Sequence, residues 1–326
     1  MTIRPRTFVR VAAALAAVVF AGTALAQDVN VRFSWKLKGE YAQMFVAQEK
    51  GYYKQEGINV RLGEGAGAPA ALGALVQGQE DAVLLPGIHA LAAISKGMPL
   101  KLIALYFPVT PTAIISYPDN PIRTPKDLEG KTLPSAVGET ATTYLEVLCR
   151  ASNIDCTKIT RIQMASQARA AQFVARKVDG LSVFQTNELP LLRAQHKDVQ
   201  FVVLDLARHG LRVPGMALVS SDRLIAEKPE ALKKLLRATA KGVIEARKDP
   251  AEAARLMLKS WSGGPPEAIV TEQVKATVEA IPVGGGRPIG WIDEKVIASA
   301  LEMLQGAKEI DAPKPVSTYY TNALLQ

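Results

Sequence analysis

Phe33-Ser-Trp-Lys-Leu-Lys-Gly-Glu-Tyr-Ala-Gln-Met-Phe-Val-Ala-Gln-Glu-Lys-Gly-Tyr-Tyr-Lys-Gln-Glu-Gly57 reads as a strand end, an aromatic-tipped turn, a helix and a glycine stop. Tyr41, Phe45 and Val46 fall at helical spacing, with Met44 and Ala47 beside them, which predicts a helix over Tyr41–Lys50. Gly51 and Gly57 end it. Val29–Trp35 and Ile58–Leu62, on either side, read as strands.

The same alternation continues outward. A glycine-rich turn, Gly63-Glu-Gly-Ala-Gly67, leads to a helix over Pro69–Gln77, with Pro69 suited to its first turn. Ala82–Leu85 is a short buried strand, Ile88–Ser95 a helix closed at Gly97, and Leu100–Leu105 another strand. Strands alternating with helices imply a mainly parallel α/β sheet. Thr112–Tyr117 is a further strand, and the turn-rich run Tyr117–Pro125 marks a boundary. A second α/β series follows, with strands at Lys131–Pro134, Leu181–Phe184 and Phe201–Leu204 and helices at Thr140–Ala151 and Arg169–Arg176. After a strand at Met216–Ser220 the chain is mostly helical, over Pro229–Lys248, Ala251–Lys259, Glu267–Ala280 and Asp293–Gly306. The expected architecture is α/β with two lobes joined by a double-crossing hinge. Residues 27–117 and 217–326 form lobe 1 and residues 118–216 form lobe 2, with a ligand cleft beyond the C-terminal ends of the strands.

Upstream, Arg4, Arg6 and Arg10 precede an uncharged run from Val11 to Ala26 that ends in Ala24-Leu25-Ala26. Residues 1–26 therefore read as a cleavable export signal, and the remaining ~300 residues as an exported protein of two lobes. The run is too short and too rich in alanine for a membrane anchor. The chain has 39 basic and 31 acidic residues, a net charge of +8 that falls to +5 without the three signal arginines. No Lys/Arg block or basic-aromatic array accompanies this excess, so no nucleic-acid partner is implied. Cys149 and Cys156 are the only cysteines. Export permits a disulfide between them, the alternative being two buried thiols. Without a suitably placed His they make no metal site.

Several stretches, in this order, resemble the periplasmic solute-binding proteins of ABC importers, in the branch that binds nitrate, taurine, alkanesulfonates and thiamine-precursor pyrimidines. They are Glu49-Lys-Gly-Tyr-Tyr-Lys-Gln-Glu-Gly-Ile-Asn-Val60, Val76-Gln-Gly-Gln-Glu-Asp-Ala82, Thr124-Pro-Lys-Asp-Leu-Glu-Gly-Lys-Thr132, Lys177-Val-Asp-Gly180, Thr186-Asn-Glu188, Pro229-Glu-Ala-Leu232 and Tyr319-Tyr-Thr-Asn322. The resemblance implies a type II periplasmic binding fold, a small-molecule ligand and an ABC permease of the inner membrane as partner. The receptor is expected to be a monomer without a cofactor.

Strand-to-helix turns supply the candidate ligand contacts. In lobe 1 these are Trp35, placed to stack a flat ligand, and Tyr41, which either offers a hydroxyl or packs in the core. Gly65 and Gly67 would line the cleft with backbone N–H groups. Pro86, Gly87 and His89 follow the third strand, where His89 either bonds to ligand or caps the helix. In lobe 2 they are Ser135, Gly138, Glu139 and Thr140, then Gln185, Asn187 and Glu188, where the resemblance implies ligand contacts. Gly63, Gly65 and Gly67 also resemble a dinucleotide fingerprint, but the acid that reading needs at the end of the next strand is missing.

Glu64, Glu139 and Glu188 all fall at candidate cleft turns. Burying them beside an anion would be costly. A pyrimidine-like or other aromatic heterocycle is therefore expected ahead of taurine, an alkanesulfonate or nitrate. Lys36, Arg212 and Arg287 are cations able to reverse that order if they reach the cleft. Eukaryotic proteins that build the thiamine pyrimidine resemble the same family and carry a cysteine-rich motif. That motif, a G-x-S-x-G elbow, an H-E-x-x-H pair and a P-loop are all lacking here, so no catalysis is expected. A sensor or partner-binding module built on the same lobes is the other alternative.

Overall fold

The computed structural model describes Gln27–Gln326; the expected export signal, residues 1–26, lies outside the described residues. The strands are β1 (Gln27–Phe33), β2 (Ile58–Gly63), β3 (Ala82–Pro86), β4 (Leu100–Leu105), β5 (Thr112–Ser116), β6 (Thr132–Ser135), β7 (Thr160–Gln163), β8 (Gly180–Phe184), β9 (Val202–Asp205) and β10 (Met216–Ser221). They form a five-stranded sheet in the order β2-β1-β3-β10-β4, a three-stranded sheet β8-β5-β9 and a two-stranded pair β6-β7.

The first sheet is parallel through β2, β1 and β3, as strand–helix–strand units require. The late strand β10 enters between β3 and β4, antiparallel to both. Every residue of β10 is buried, as fits a strand covered on both faces. Its insertion makes the sheet mixed rather than parallel to its edge.

The hydrogen bonding of β5 corrects one expected boundary. Thr112–Ser116 pairs antiparallel with β8 on one side and β9 on the other. It therefore lies in the second sheet and not in the first lobe. All five of its residues are buried, and only a central position satisfies both edges of such a strand. The first crossing accordingly runs through residues 106–111, beside the return crossing at residues 213–215. The two are tied by Gly215 N to Phe107 O at 2.9 Å and Thr110 N to Val213 O at 2.8 Å. A Cβ on Gly215 would lie 2.8 Å from that of Phe107, so glycine permits this approach.

Helices Pro229–Lys248 and Pro250–Leu258 return to helix Ala42–Glu49 of the first lobe. A Cβ on Gly242 would sit 2.1 Å from the carbonyl oxygen of Gln43, which sets how closely the helices pack. One core fills this side, around Phe33, Met44 and Leu235. A second covers the other face of the five-stranded sheet and continues across the lobes through Leu145, Leu148 and Cys149 to Leu301 and Leu304. A third, smaller core stacks Tyr117 on Phe173 behind the second sheet. Cys149 and Cys156 are joined by a disulfide that spans the left-handed helix stop at Asn153. Among the described residues no helix is long and apolar enough to cross a membrane, and no cluster of His, Cys, Asp and Glu could hold a metal ion.

Candidate functional site

The C-terminal ends of β1, β3, β6 and β8 face one another between the lobes. Ser34, Trp35, Lys38, Glu40, Tyr41 and Pro86 form one wall of a cavity there. Gly138, Glu139, Thr140, Arg169, Ser182, Val183, Phe184 and Glu188 form the other. The enclosed volume is ≈ 40 Å³.

Seven expected residues line this cavity: Trp35, Tyr41, Pro86, Gly138, Glu139, Thr140 and Glu188. Tyr41 packs in the core and also borders the cavity. It stacks on Phe33 with ring centroids 4.1 Å apart while its edge meets the cavity. Burial, with Glu40 beside it, holds its hydroxyl well above the usual phenol range, so it is a neutral donor.

The other seven lie behind the wall. Gly65 N donates to Trp35 O at 3.1 Å and Gly67 N to Ser34 O at 2.7 Å, so these amides are spent on the chain rather than offered to the cleft. Gly67 instead abuts the second lobe, where a Cβ on it would lie 3.2 Å from Val137 O. Gly87 N is taken by Gly215 O at 2.6 Å and Gln185 N by Pro111 O at 2.8 Å. Ser135 is paired with Thr142. His89 is buried against Tyr144 and Thr140. Desolvation lowers its pKa to about 4 against the opposing pull of Glu139, so the ring is neutral near pH 7. Asn187 is a bridge: its Nδ2 donates to Glu40 Oε2 at 2.6 Å, and its carbonyl accepts from Gln273 Nε2 at 3.0 Å. Gln273 Oε1 in turn accepts from Gly39 N at 3.1 Å, which closes a ring of contacts across the lobes.

The acids are placed differently from expectation. Glu64 faces away, accepting from Leu37 N at 2.8 Å and Lys36 Nζ at 3.0 Å. Glu139 caps helix Thr140–Thr143 through Ala141 N and Thr142 N, both at 2.9 Å, and also accepts from Ser182 Oγ at 2.8 Å. Its oxygens are thereby occupied by the chain. Glu188 accepts from Lys38 Nζ at 2.8 Å and from Phe184 N at 2.8 Å. Burial would raise the Glu188 pKa, but Lys38 and the Phe184 amide outweigh it and hold the group below the usual carboxylate range. For Lys38 burial works downward, and Glu188 with Glu40 reverses it, so its pKa is raised. Both partners shift toward the charged form.

Glu40, Arg169 and Phe184 were not among the expected residues. Burial raises the Glu40 pKa despite Lys38 nearby. Arg169 Nη2 reaches Ser182 O at 2.6 Å and lies 3.9 Å from Glu139 Oε1. Its Nε is buried without a partner among the described residues. The sequence carries a signal for it: Arg169 shares the buried face of helix Ala168–Val174 with Phe173, an i, i+4 pair in which a cation is out of place. Lys36 pairs with Glu64 and Arg287 with Asp293, Arg212 is exposed, and none of the three lines the cavity. The wall thus holds two cations and three carboxylates around Trp35, Tyr41 and Phe184. Its charge is near balance, and its flat faces are aromatic.

Known proteins share this framework. The riboflavin-binding protein RibY of Chloroflexus aurantiacus is 26% identical over 319 residues, covering 91% of this chain and 85% of its own. The 4-amino-5-hydroxymethyl-2-methylpyrimidine phosphate synthase of Schizosaccharomyces pombe is 27% identical over 227 residues, 67% of this chain and 65% of that protein. The alkanesulfonate-binding protein SsuA of Xanthomonas axonopodis pv. citri, solved with MOPS, superposes with a TM-score of 0.69 at 18% identity, over 90% of this chain and 98% of that one. The fold is therefore the two-lobed one of periplasmic binding proteins. The family described as NMT1/THI5 like matches residues 38–253, a span that includes both Lys38 and Glu188 at the cavity, and the chain belongs to that family.

Proposed function

We propose that this protein is a periplasmic receptor of an ABC importer that captures a flat aromatic heterocycle between its lobes and presents it to a membrane permease. The observation that carries the reading is the cavity itself. It lies at the strand ends of both lobes, and three aromatic side chains and a near-balanced set of charges wall it. Aromatic faces favour a planar ring, and the carboxylates of Glu40 and Glu188 disfavour a bare anion. Two of the relatives agree in kind: one is a riboflavin-binding protein and the other a synthase of an aminopyrimidine phosphate. The argument against sulfonate and nitrate rests on Glu40 and Glu188 alone, since Glu64 faces away and Glu139 is bonded within the chain. The cavity as it stands is too small for a ring system, so binding requires the lobes to part or a wall side chain to move. Closure on the ligand then gives the permease a shape to recognise, provided that the closed state binds more tightly.

Synthase names among the relatives favour a second reading, an enzyme acting on a similar ring. Against it, the histidine nearest the cavity is neutral, buried and bonded to Tyr144, and both cysteines are in a disulfide. A thermal-shift screen of residues 27–326 tests the proposal with riboflavin, aminopyrimidines, taurine, alkanesulfonates and nitrate. A ligand specific to the folded state raises the melting temperature. A shift with a heterocycle, lost in Trp35→Ala, supports the reading. A shift confined to the anions overturns the ligand class, and chemical turnover of a bound ring overturns the receptor.

A further inference from the structure

We propose that the space between the Trp35 and Phe184 rings is a subsite for an organic cation, which Lys38 fills from within the chain and which a ligand's own ammonium or protonated ring nitrogen takes over by displacing Lys38. The inference rests on the reading of this cavity as the ligand site, and deepens it to the class of group recognised there.

The Lys38 ammonium lies 5.3 Å from the centroid of the Phe184 ring and 5.8 Å from that of Trp35. Both fall within the ~6 Å over which a ring face attracts a cation. Glu188 Oε1 stands on a further side at 2.8 Å and is the one hydrogen-bond partner of Lys38 Nζ among the described residues. Two aromatic faces and a carboxylate are what a free organic cation requires. The lysine tip is therefore the chemical stand-in for such a group. The site stabilises a positive charge there more than burial penalises it, as the raised Lys38 pKa records.

The tether also has a way out. The Lys38 side chain keeps 16% of its surface exposed and its partner Glu188 30%, which puts the pair at the mouth of the cleft. When the ammonium leaves, Glu40, Glu139 and Glu188 face Arg169 as the only remaining cation in the wall. A ligand that brings a positive charge restores the balance and gains the vacated volume. A neutral ring leaves the carboxylates unpaired if it expels Lys38, and has only the small cavity if it does not. An anion fails on both counts. Lys38 thus acts as a competitor that sets which ligands enter.

The test uses n-butylammonium, which reproduces the lysine tip, and 1-butanol, its uncharged counterpart. Titrations followed by melting temperature are made on wild type, Lys38→Met and Lys38→Arg. Removing a tethered competitor should tighten n-butylammonium binding by at least about tenfold in Lys38→Met. No such gain is expected for 1-butanol, nor for Lys38→Arg, which keeps a tethered cation. Lys38→Gln replaces Lys38→Met if the latter does not fold. The proposal is overturned if the neutral variants gain nothing, gain equally with 1-butanol, or gain no more than Lys38→Arg. Because n-butylammonium probes the subsite alone, a gain here with silence across the heterocycle panel would support the cation subsite while overturning the heterocycle reading.

Discussion

Lys38 and Glu188 should be coupled in stability, because the pair joins the lobes at 2.8 Å with 16% and 30% of the side chains exposed. Breaking a buried pair by removing one partner costs ~3–5 kcal/mol, most of it from the charge left behind. Partial exposure reduces this, so Lys38→Met should cost about 1–3 kcal/mol. Glu188→Gln keeps an acceptor for Phe184 N and should cost about 1–2 kcal/mol. The double variant leaves neither charge stranded and should cost less than the sum by about 1–2 kcal/mol. Equilibrium urea unfolding at neutral pH measures all four corners of the cycle. The coupling should vanish at both pH extremes. Glu188 is depressed, so its share is present above its unfolded pKa and lost as pH falls through the folded value. Lys38 is raised, so its share is present below its unfolded pKa and lost as pH rises through the folded one. Costs that add within about 0.5 kcal/mol would refute a stabilising pair across the cleft.

Other perturbations probe neighbouring parts of the site. Glu40→Gln should be neutral or stabilising at neutral pH, because burial raises the carboxyl pKa, and any gain should fade as acid protonates the wild-type group; urea midpoints across pH measure this. His89 resists protonation with a pKa of about 4, so the wild type should lose about 3 kcal/mol as pH falls from its unfolded value toward 4. His89→Gln should remove that part of the slope, and an unchanged slope would contradict the assignment. Gly138→Ala should hinder closure, because the new Cβ would meet Ala68 N at 2.9 Å across the lobes, at a residue with φ +75°. Small-angle scattering should show a more open molecule, and affinity for any cleft ligand should fall by about tenfold or more.

Much of the fold is legible in the sequence because it rests on apolar periodicity and stop signals. Leu100–Leu105, Pro229–Lys248 and Glu267–Ala280 match their expected limits. What escapes are elements without that signal. Strand β7 is exposed at every residue, so Thr160–Gln163 has no alternation to read. Helix Glu188–Gln195 carries Pro190 in its first turn and only Leu189 and Leu192 buried, and it reads as a turn. The expected helix Thr140–Ala151 breaks at Tyr144, whose backbone leaves the helical region. At the site, position after a strand finds Trp35, Glu139 and Glu188. It cannot say where a side chain's bonds go: Glu139 is consumed by its own helix and Glu64 by Leu37. Glu40, Lys38 and Arg169 matter only through contacts made by the opposite lobe or by distant strands, which no local pattern encodes.

That a planar aromatic solute binds in the cavity beside Trp35 is tested most directly by titration calorimetry of residues 27–326. The heterocycles and anions of the panel would be titrated into wild type and Trp35→Ala. Heat of one-to-one binding with a heterocycle, weakened in Trp35→Ala by about tenfold or more, is the expected result. Heat from sulfonate or nitrate alone, or heterocycle binding indifferent to Trp35, would contradict it.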